Sequence, residues 1–358
     1  MEMFVISSIK LLLKEGHSVA LASIENSPID KESRRLNVKS VNFDASPLSL
    51  KSIKIFKKTL QNEKIELIHT HFSKDLWLIV PALKLSGLRT PVVMTKHIGS
   101  AIEKKDLLHN FIYRRLDCAI AISEVIRQNL LDTTVLGEKK VALIHNFIDI
   151  NKFVKNDDSS DLKKEFQITP SQTVIGMVGR ISPGKGHEDV IEAVRVISQD
   201  EPDIKVIIVG TSQENERQYE AGLKEKVRQY GLDKYFIFTG FRKDIPELLS
   251  LFDIFLFPSH AEAFGLSLLE AMAVGLPNVV CYSDGVKDIA LEDVTSLTYG
   301  RGEYEKLAGH IKNLLSNPEL RTRLSENSMK RVKLFSPEVF QEKIETLYRN
   351  LVLKKEAH

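Results

Sequence analysis

The sequence predicts an α/β chain folded as two doubly wound, Rossmann-like domains. Three observations carry that expectation. Segments of strand character alternate with segments of helical periodicity along most of the chain, the pattern left by parallel sheets with crossover helices. A length of 358 residues is too great for one ordinary core and suits two. Two strand–loop–helix junctions, at 173–187 and 253–277, carry the glycines and prolines of ligand-binding turns.

In the first half, strand-like runs fall near 18–23, 66–70, 91–95, 118–122 and 141–144. Helical spacing falls near 4–15, 50–61, 76–86, 103–115 and 123–131. In the second half the strands are expected near 173–178, 205–209, 235–239, 253–257, 278–281 and 295–298. Helices between them are expected near 187–198, 213–230, 244–251, 266–274 and 303–315. The polar stretch Asn151 to Gln172 is the most linker-like segment and divides the domains at 1–150 and 151–335. Beyond 316 the chain is helical and charged, and a last helix comes after Ser336-Pro337, within 336–358, with no strand beyond it.

A hydrophobic share of 43% and a charged share of 27% are those of a soluble globular protein. Cys118 and Cys281 sit in apolar strand-like runs and read as small buried hydrophobes rather than a disulfide framework. No apolar run approaches the roughly 20 residues a membrane span needs. Lys10 and Lys14 break the N-terminal apolar stretch, so it does not read as a signal peptide, and a cytoplasmic protein is expected. The net charge of +2 hides an asymmetry, because residues 1–150 hold 22 Lys and Arg against 16 Asp and Glu. Much of it lies at Lys51, Lys54, Lys57 and Lys58 and at Lys104, Lys105, Arg114 and Arg115. Such a basic half suits an anionic acceptor or peripheral contact with the anionic inner face of a membrane; nothing points to nucleic acid.

The most informative stretch runs from Asp253 to Pro277. Its strand-like Ile254 to Phe257 stops at Pro258, and Phe264-Gly265 opens a short helix that Gly275 and Pro277 close. Glu262 lies in the loop and Glu270 inside the helix, with seven residues between them. Open α/β sheets bind ligands at the carboxyl ends of their strands, and the amides of Phe264, Gly265 and Leu266 favour an anion. A phosphate on backbone donors with carboxylates for sugar hydroxyls is the chemistry of a nucleotide-sugar site. The stretch resembles the E-x7-E donor motif of retaining glycosyltransferases of the GT-B fold, the large group 1, glycogen-synthase-like family.

That resemblance implies a GT-B architecture, two Rossmann-like domains facing a cleft, with acceptor bound by the first, donor by the second, and the last helix returning to the first. It implies that Glu270 binds the ribose and Glu262 faces the donor sugar. The implied activity is transfer from a nucleotide-diphosphate sugar, such as a UDP-sugar, to a sugar, lipid-linked or phosphorylated acceptor, in envelope polysaccharide or glycolipid assembly.

A second motif, Val178 to His187, nearly matches a P-loop through Gly179, Gly184 and Lys185. A P-loop needs Ser or Thr next for magnesium, and Gly186 has no hydroxyl. The family carries Gly-Arg and Lys-Gly here, matched by Gly179, Arg180 and Lys185. Breaking a sugar–diphosphate bond leaves negative charge on phosphate, which two cations and a helix N-terminus stabilise without a metal. No Asp-x-Asp signature of a metal-held donor occurs, so neither metal nor cofactor is expected.

His97 comes directly after a strand and matches a family histidine near the reacting carbon and the acceptor. His69 and His71 flank Thr70 on one strand face and read as buried, hydrogen-bonded histidines, since no third metal ligand has recognisable spacing. Met1-Glu2-Met3-Phe4 resembles the family segment just past the first strand and its Gly-Gly-x-Glu turn. The resemblance then implies that this strand and loop are absent and aligns Glu2 with an acceptor-facing residue. Phe147 and Asp284 stand where the family usually has glycine. The alternative to an active transferase is a protein that binds a nucleotide sugar and transfers nothing.

Overall fold

The computed structural model describes residues 2–43, 49–156, 158–201 and 203–356. The chain divides into two compact units, Met1–Asn146 with Pro337–His358, and Phe147–Ser336. The second unit therefore begins at Phe147 rather than at 151.

The first unit contains α1 (Glu2–Lys14), β1 (Ala20–Ile24), α2 (Pro28–Arg35), β2 (Lys39–Phe43), α3 (Leu50–Asn62), β3 (Ile68–Thr70) and α4 (Leu76–Ser86). It continues with β4 (Val92–Lys96), α5 (Leu107–Arg114), β5 (Cys118–Ala121), α6 (Glu124–Thr133) and β6 (Val141–Leu143). The second unit holds α7 (Ser160–Glu165), β7 (Thr173–Val178), α8 (His187–Ile197), β8 (Ile204–Val209), α9 (Arg217–Gln229), β9 (Phe236–Gly240) and α10 (Ile245–Leu251). After these come β10 (Ile254–Phe257), α11 (Leu266–Val274), β11 (Asn278–Cys281), β12 (Ser296–Tyr299), α12 (Tyr304–Ser316) and α13 (Pro318–Val332). The last helix, α14 (Pro337–Glu356), belongs to the first unit.

Between 24 and 49, where the sequence suggests no element, α2 and β2 form. The helix has little apolar periodicity to reveal it. It is held instead by polar chemistry: Pro28 occupies its first turn and Ser27 caps the Asp30 amide. Buried Asp30 accepts from the Asn26 amide, the Ser40 hydroxyl and Arg34 at 2.8–2.9 Å, pinning α2 to β2. The expected helix at 103–115 shortens to α5 because Asp106 caps the amides of Leu108 and His109. The expected linker is not free chain either. It contains α7, the Asn156 amide donates to Ser250 Oγ at 3.0 Å, and Glu165 pairs with Arg242.

The second unit is one six-stranded sheet, ordered β12-β11-β10-β7-β8-β9, with every adjacent pair parallel. The order reverses between β7 and β10, so their two loops flank the topological switch point. Both faces are covered, and Ile254, Phe255 and Leu256 of β10 are completely buried. Gly176 sits mid-strand in β7 because a Cβ there would lie 1.9 Å from the Phe252 ring. In the first unit, parallel strands form a four-stranded sheet, β3-β4-β5-β6, and a separate pair, β1-β2. The pair packs on a small core that includes Val5, Ile6, Ile9 and Val38.

Candidate functional site

The two sequence motifs leave neighbouring strands, β7 and β10, at the switch point of the second unit. Their loops are bonded together. Lys185 Nζ lies 2.6 Å from Glu262 Oε2, and the His260 amide donates to the Gly184 carbonyl at 2.9 Å. His260 Nε2 reaches Asp189 Oδ2 at 2.6 Å, fixing the Glu262 loop to the first turn of α8. Gly186 makes this approach possible. It has φ of 75°, and a Cβ would meet the Pro258 carbonyl oxygen at 2.0 Å.

Both helices at the switch point begin on a left-handed glycine with no side-chain cap, Gly186 for α8 and Gly265 for α11. They differ in charge. The first turn of α8 holds Glu188 and Asp189, which offset its positive end, whereas that of α11 has no acid. The opening amides of α11 have no intrahelical acceptor, so this end is suited to an anion. One turn further on, burial pushes the Glu270 carboxyl up to about 7. Among the described residues no cation or donor engages it. A buried carboxyl without a protein partner suits a ligand that brings hydroxyls.

The other expected donor contacts divide. Gly179 comes after β7 with open space where a Cβ would be. Arg180 faces Glu216 at 3.7 Å, so it is not part of the Lys185–Glu262 pair. The Phe264 ring is buried edge-on against Phe335. Leu266 is exposed on the first turn of α11. Asp284, at the family's glycine position, has φ of 43°, and at Gly285 a Cβ would lie 2.3 Å from the Ala263 carbonyl oxygen.

In the first unit, His97 comes directly after β4 and belongs to a histidine cluster. Its Nε2 lies 3.1 Å from His71 Nδ1, and the His71 ring stacks on His69 at 4.3 Å between centroids. His69 bonds Thr95 Oγ1 at 2.7 Å and the Tyr348 hydroxyl on α14. Phe4 packs edge-on against His97 at 5.4 Å. Burial holds His97 down to about 4 and His69 to about 3, so these imidazoles are neutral at neutral pH. Spacing shows no third partner for His69 and His71; the fold supplies His97. Its ring nitrogen is spent on a hydrogen bond, and the described residues contain no group that could hold a metal ion. Exposed Glu2 opens α1, two residues before Phe4.

The sequence reading passes over Asp189, His260, Glu216 and Lys96. A signal exists for the first two, since His260 lies two residues before Glu262 and Asp189 lies two residues after His187, each beside a motif. Lys96, beside His97, is drawn down to about 8 by burial and by Lys104.

Residues 158–331 match the family described as glycosyl transferases group 1, and residues 1–152 that described as Glycosyltransferase Family 4. N-acetyl-alpha-D-glucosaminyl L-malate synthase of Bacillus anthracis is 26% identical over 318 residues, 87% of this chain and 81% of that protein. UDP-Gal:alpha-D-GlcNAc-diphosphoundecaprenol alpha-1,3-galactosyltransferase of Escherichia coli is 26% identical over 364 residues, 97% of this chain and 92% of that one. The crystal structure of Anabaena HepE in complex with UDP and glucose superposes with a TM-score of 0.82 at 23% identity. That superposition covers 97% of this chain and 95% of HepE, and it shows a shared fold. No helix among the described residues is long and apolar enough to cross a membrane.

Proposed function

We propose that this chain is a group 1 glycosyltransferase of the GT-B fold that moves a hexose from a nucleotide-diphosphate donor to an acceptor hydroxyl with retention. The observation that carries the donor site is the unpartnered, buried carboxyl of Glu270, one turn into a helix whose N-terminus is free of acids. Glu270 accepts hydrogen bonds from the ribose, and the diphosphate lies against the amides of Gly265, Leu266 and neighbouring residues. Lys185 then exchanges Glu262 for phosphate oxygen, which turns the Glu262 carboxylate toward the hydroxyls of the sugar. Arg180 supplies a second cation. In the chemical step the acceptor oxygen bonds to the anomeric carbon as the bond to phosphate breaks. The departing electron pair stays on phosphate, which also takes the acceptor proton. Lys185, Arg180 and the helix dipole stabilise that charge, and the step as drawn needs no metal.

His97, neutral at physiological pH, orients sugar hydroxyls by hydrogen bonding rather than by donating a proton. Glu2 is assigned to the acceptor side with it. The acceptor is a lipid-linked or phosphorylated sugar at an anionic membrane face, in polysaccharide or glycolipid assembly. Two findings support it: the basic first half, and the diphosphoundecaprenol acceptor named for the E. coli relative.

Release of nucleoside diphosphate from a panel of nucleotide sugars tests the proposal. Glu270→Ala and Lys185→Ala each lower turnover or donor affinity by more than about tenfold, roughly 1.4 kcal/mol. Unchanged turnover in both variants would falsify the assignment. A second reading, donor binding without transfer, is favoured by the division of the first unit's strands into two sheets. It predicts donor affinity with no sugar passed to acceptor or water.

A further inference from the structure

Helix α5 is amphipathic in an unusual sense. Its inward residues Ile112 and Tyr113 are buried, yet its outward side is also apolar. Leu107 is 87% exposed, Leu108 66% and Phe111 46%. The preceding segment adds Ile98 at 73% and Ile102 at 64%. That segment is anchored: the Ser100 amide donates to Asn129 Oδ1 at 2.7 Å, Asn129 Nδ2 returns a bond to the Ser100 carbonyl, and the Lys104 amide donates to the Thr133 carbonyl. Five large apolar side chains within fourteen residues are thus held in water by ordered backbone. Isolated exposed hydrophobes need no explanation, but a cluster on an ordered helix marks a docking face.

The charge around the cluster selects the partner. Residues 84–115 carry seven Lys and Arg and two acids, Glu103 and Asp106. Asp106 is occupied in capping α5. The side chains of Lys84, Arg89 and Arg114 have no carboxylate partner among the described residues. Lys84 lies over the Phe111 ring at 5.0 Å from its centroid. A groove of about 450 Å³ between α4 and α5 is lined by Val80, Leu83, Leu88 and Phe111, with Lys84 and Arg114 beside them. Apolar side chains set among unpaired cations match the boundary between headgroups and acyl chains in an anionic bilayer.

We propose that residues 98–114, with the end of α4, form the surface on which this protein lies on an anionic membrane. Leu107, Leu108 and Phe111 enter the headgroup boundary, Lys84 and Arg114 meet lipid phosphates, and the groove receives part of a lipid chain. The inference deepens the reading of a lipid-borne acceptor and rests on it.

Co-sedimentation of the full chain with phosphatidylcholine vesicles, with and without phosphatidylglycerol, tests the surface. Wild type partitions at least about tenfold more strongly onto the anionic vesicles at low salt, and high salt weakens this. Leu107→Ser with Leu108→Ser lowers the partition about tenfold or more. Lys84→Glu with Arg114→Glu removes the preference for phosphatidylglycerol. Calorimetric binding of UDP, retained by both variants, shows that they fold and keeps the donor assignment separate. Loss of UDP binding in wild type alongside intact vesicle binding overturns the functional reading and leaves the surface standing. Wild type that stays off anionic vesicles, or variants that pellet as it does, overturn the surface. So does a dimer in sedimentation velocity that the leucine variant dissolves, since the face then pairs two copies.

Discussion

The two units solve the same architectural problem differently. In the second, one continuous sheet places two loops side by side, and the groups of interest are ionisable: Lys185 paired with Glu262, Arg180 facing Glu216, and the buried carboxyl of Glu270. In the first, the strands fall into two sheets, and the group of interest is a stack of neutral imidazoles wedged among Phe4, Thr95 and Tyr348. A phosphate-bearing donor calls for charge and helix ends. An acceptor hydroxyl calls for hydrogen bonds. On the proposed function, that difference separates the donor from the acceptor between the two units.

The largest expected effect breaks this comparison if it fails. His97→Ala should lower transfer by roughly 10–10²-fold, the worth of a lost hydrogen bond, while leaving the Kd for nucleoside diphosphate unchanged. Lys185→Ala and Glu270→Ala should raise that Kd. Titration calorimetry beside turnover separates the two; a His97 variant that loses nucleotide affinity would erase the division of labour.

Acid should strike the units unequally. Folded His69 and His97 titrate at about 3 and about 4, below the 6.5 of a free imidazole. Below pH 6.5 the unfolded chain therefore takes up protons that the folded one refuses. Their contribution is full above 6.5 and is lost as pH falls, on the order of 3 kcal/mol by pH 5. In the second unit His187 acts in the same direction, but Glu270 acts in the other. Hydrogen exchange at pH 5 should open β3 and β4 before β7 and β10; the reverse order counts against the neutral-imidazole account.

Glu270→Gln sharpens the contrast further. The folded carboxyl titrates at about 7 against 4.5 for a free one. It is therefore a source of stability that is full below 4.5 and lost as pH rises through 7. The neutral amide should raise unfolding stability at pH 8 by on the order of 1–3 kcal/mol and change little at pH 4. It should weaken donor binding at the same time. A thermal scan showing destabilisation at pH 8 would mean that the carboxylate already has a protein partner. Smallest is the effect on β1 and β2, whose amides should exchange faster at neutral pH than those of β7 and β8, because their core is small.

Local sequence makes much of the second unit legible, because its strands are nearly continuous apolar runs and glycines and prolines punctuate its turns. Glu262, Glu270, Arg180 and Lys185 are visible for the same reason: their spacing is local. The hidden part is long-range. No spacing announces that Lys185 Nζ lies on Glu262 or that His71 shares a hydrogen bond with His97, because each bond joins loops far apart in the chain. Helix α2 is invisible for another reason: the buried Asp30 network fixes it, and hydrophobic periodicity does not register polar packing. The aromatic and histidine positions of the first unit read as separate residues in the sequence, whereas the fold makes them one cluster.

The most direct measurement is a crystal structure of the protein soaked with a nucleotide sugar. Density for the diphosphate should lie against the opening amides of α11, with Lys185 drawn from Glu262 onto phosphate and the ribose on Glu270. A diphosphate seated at the acid-bearing start of α8, or a ribose remote from Glu270, would contradict the account.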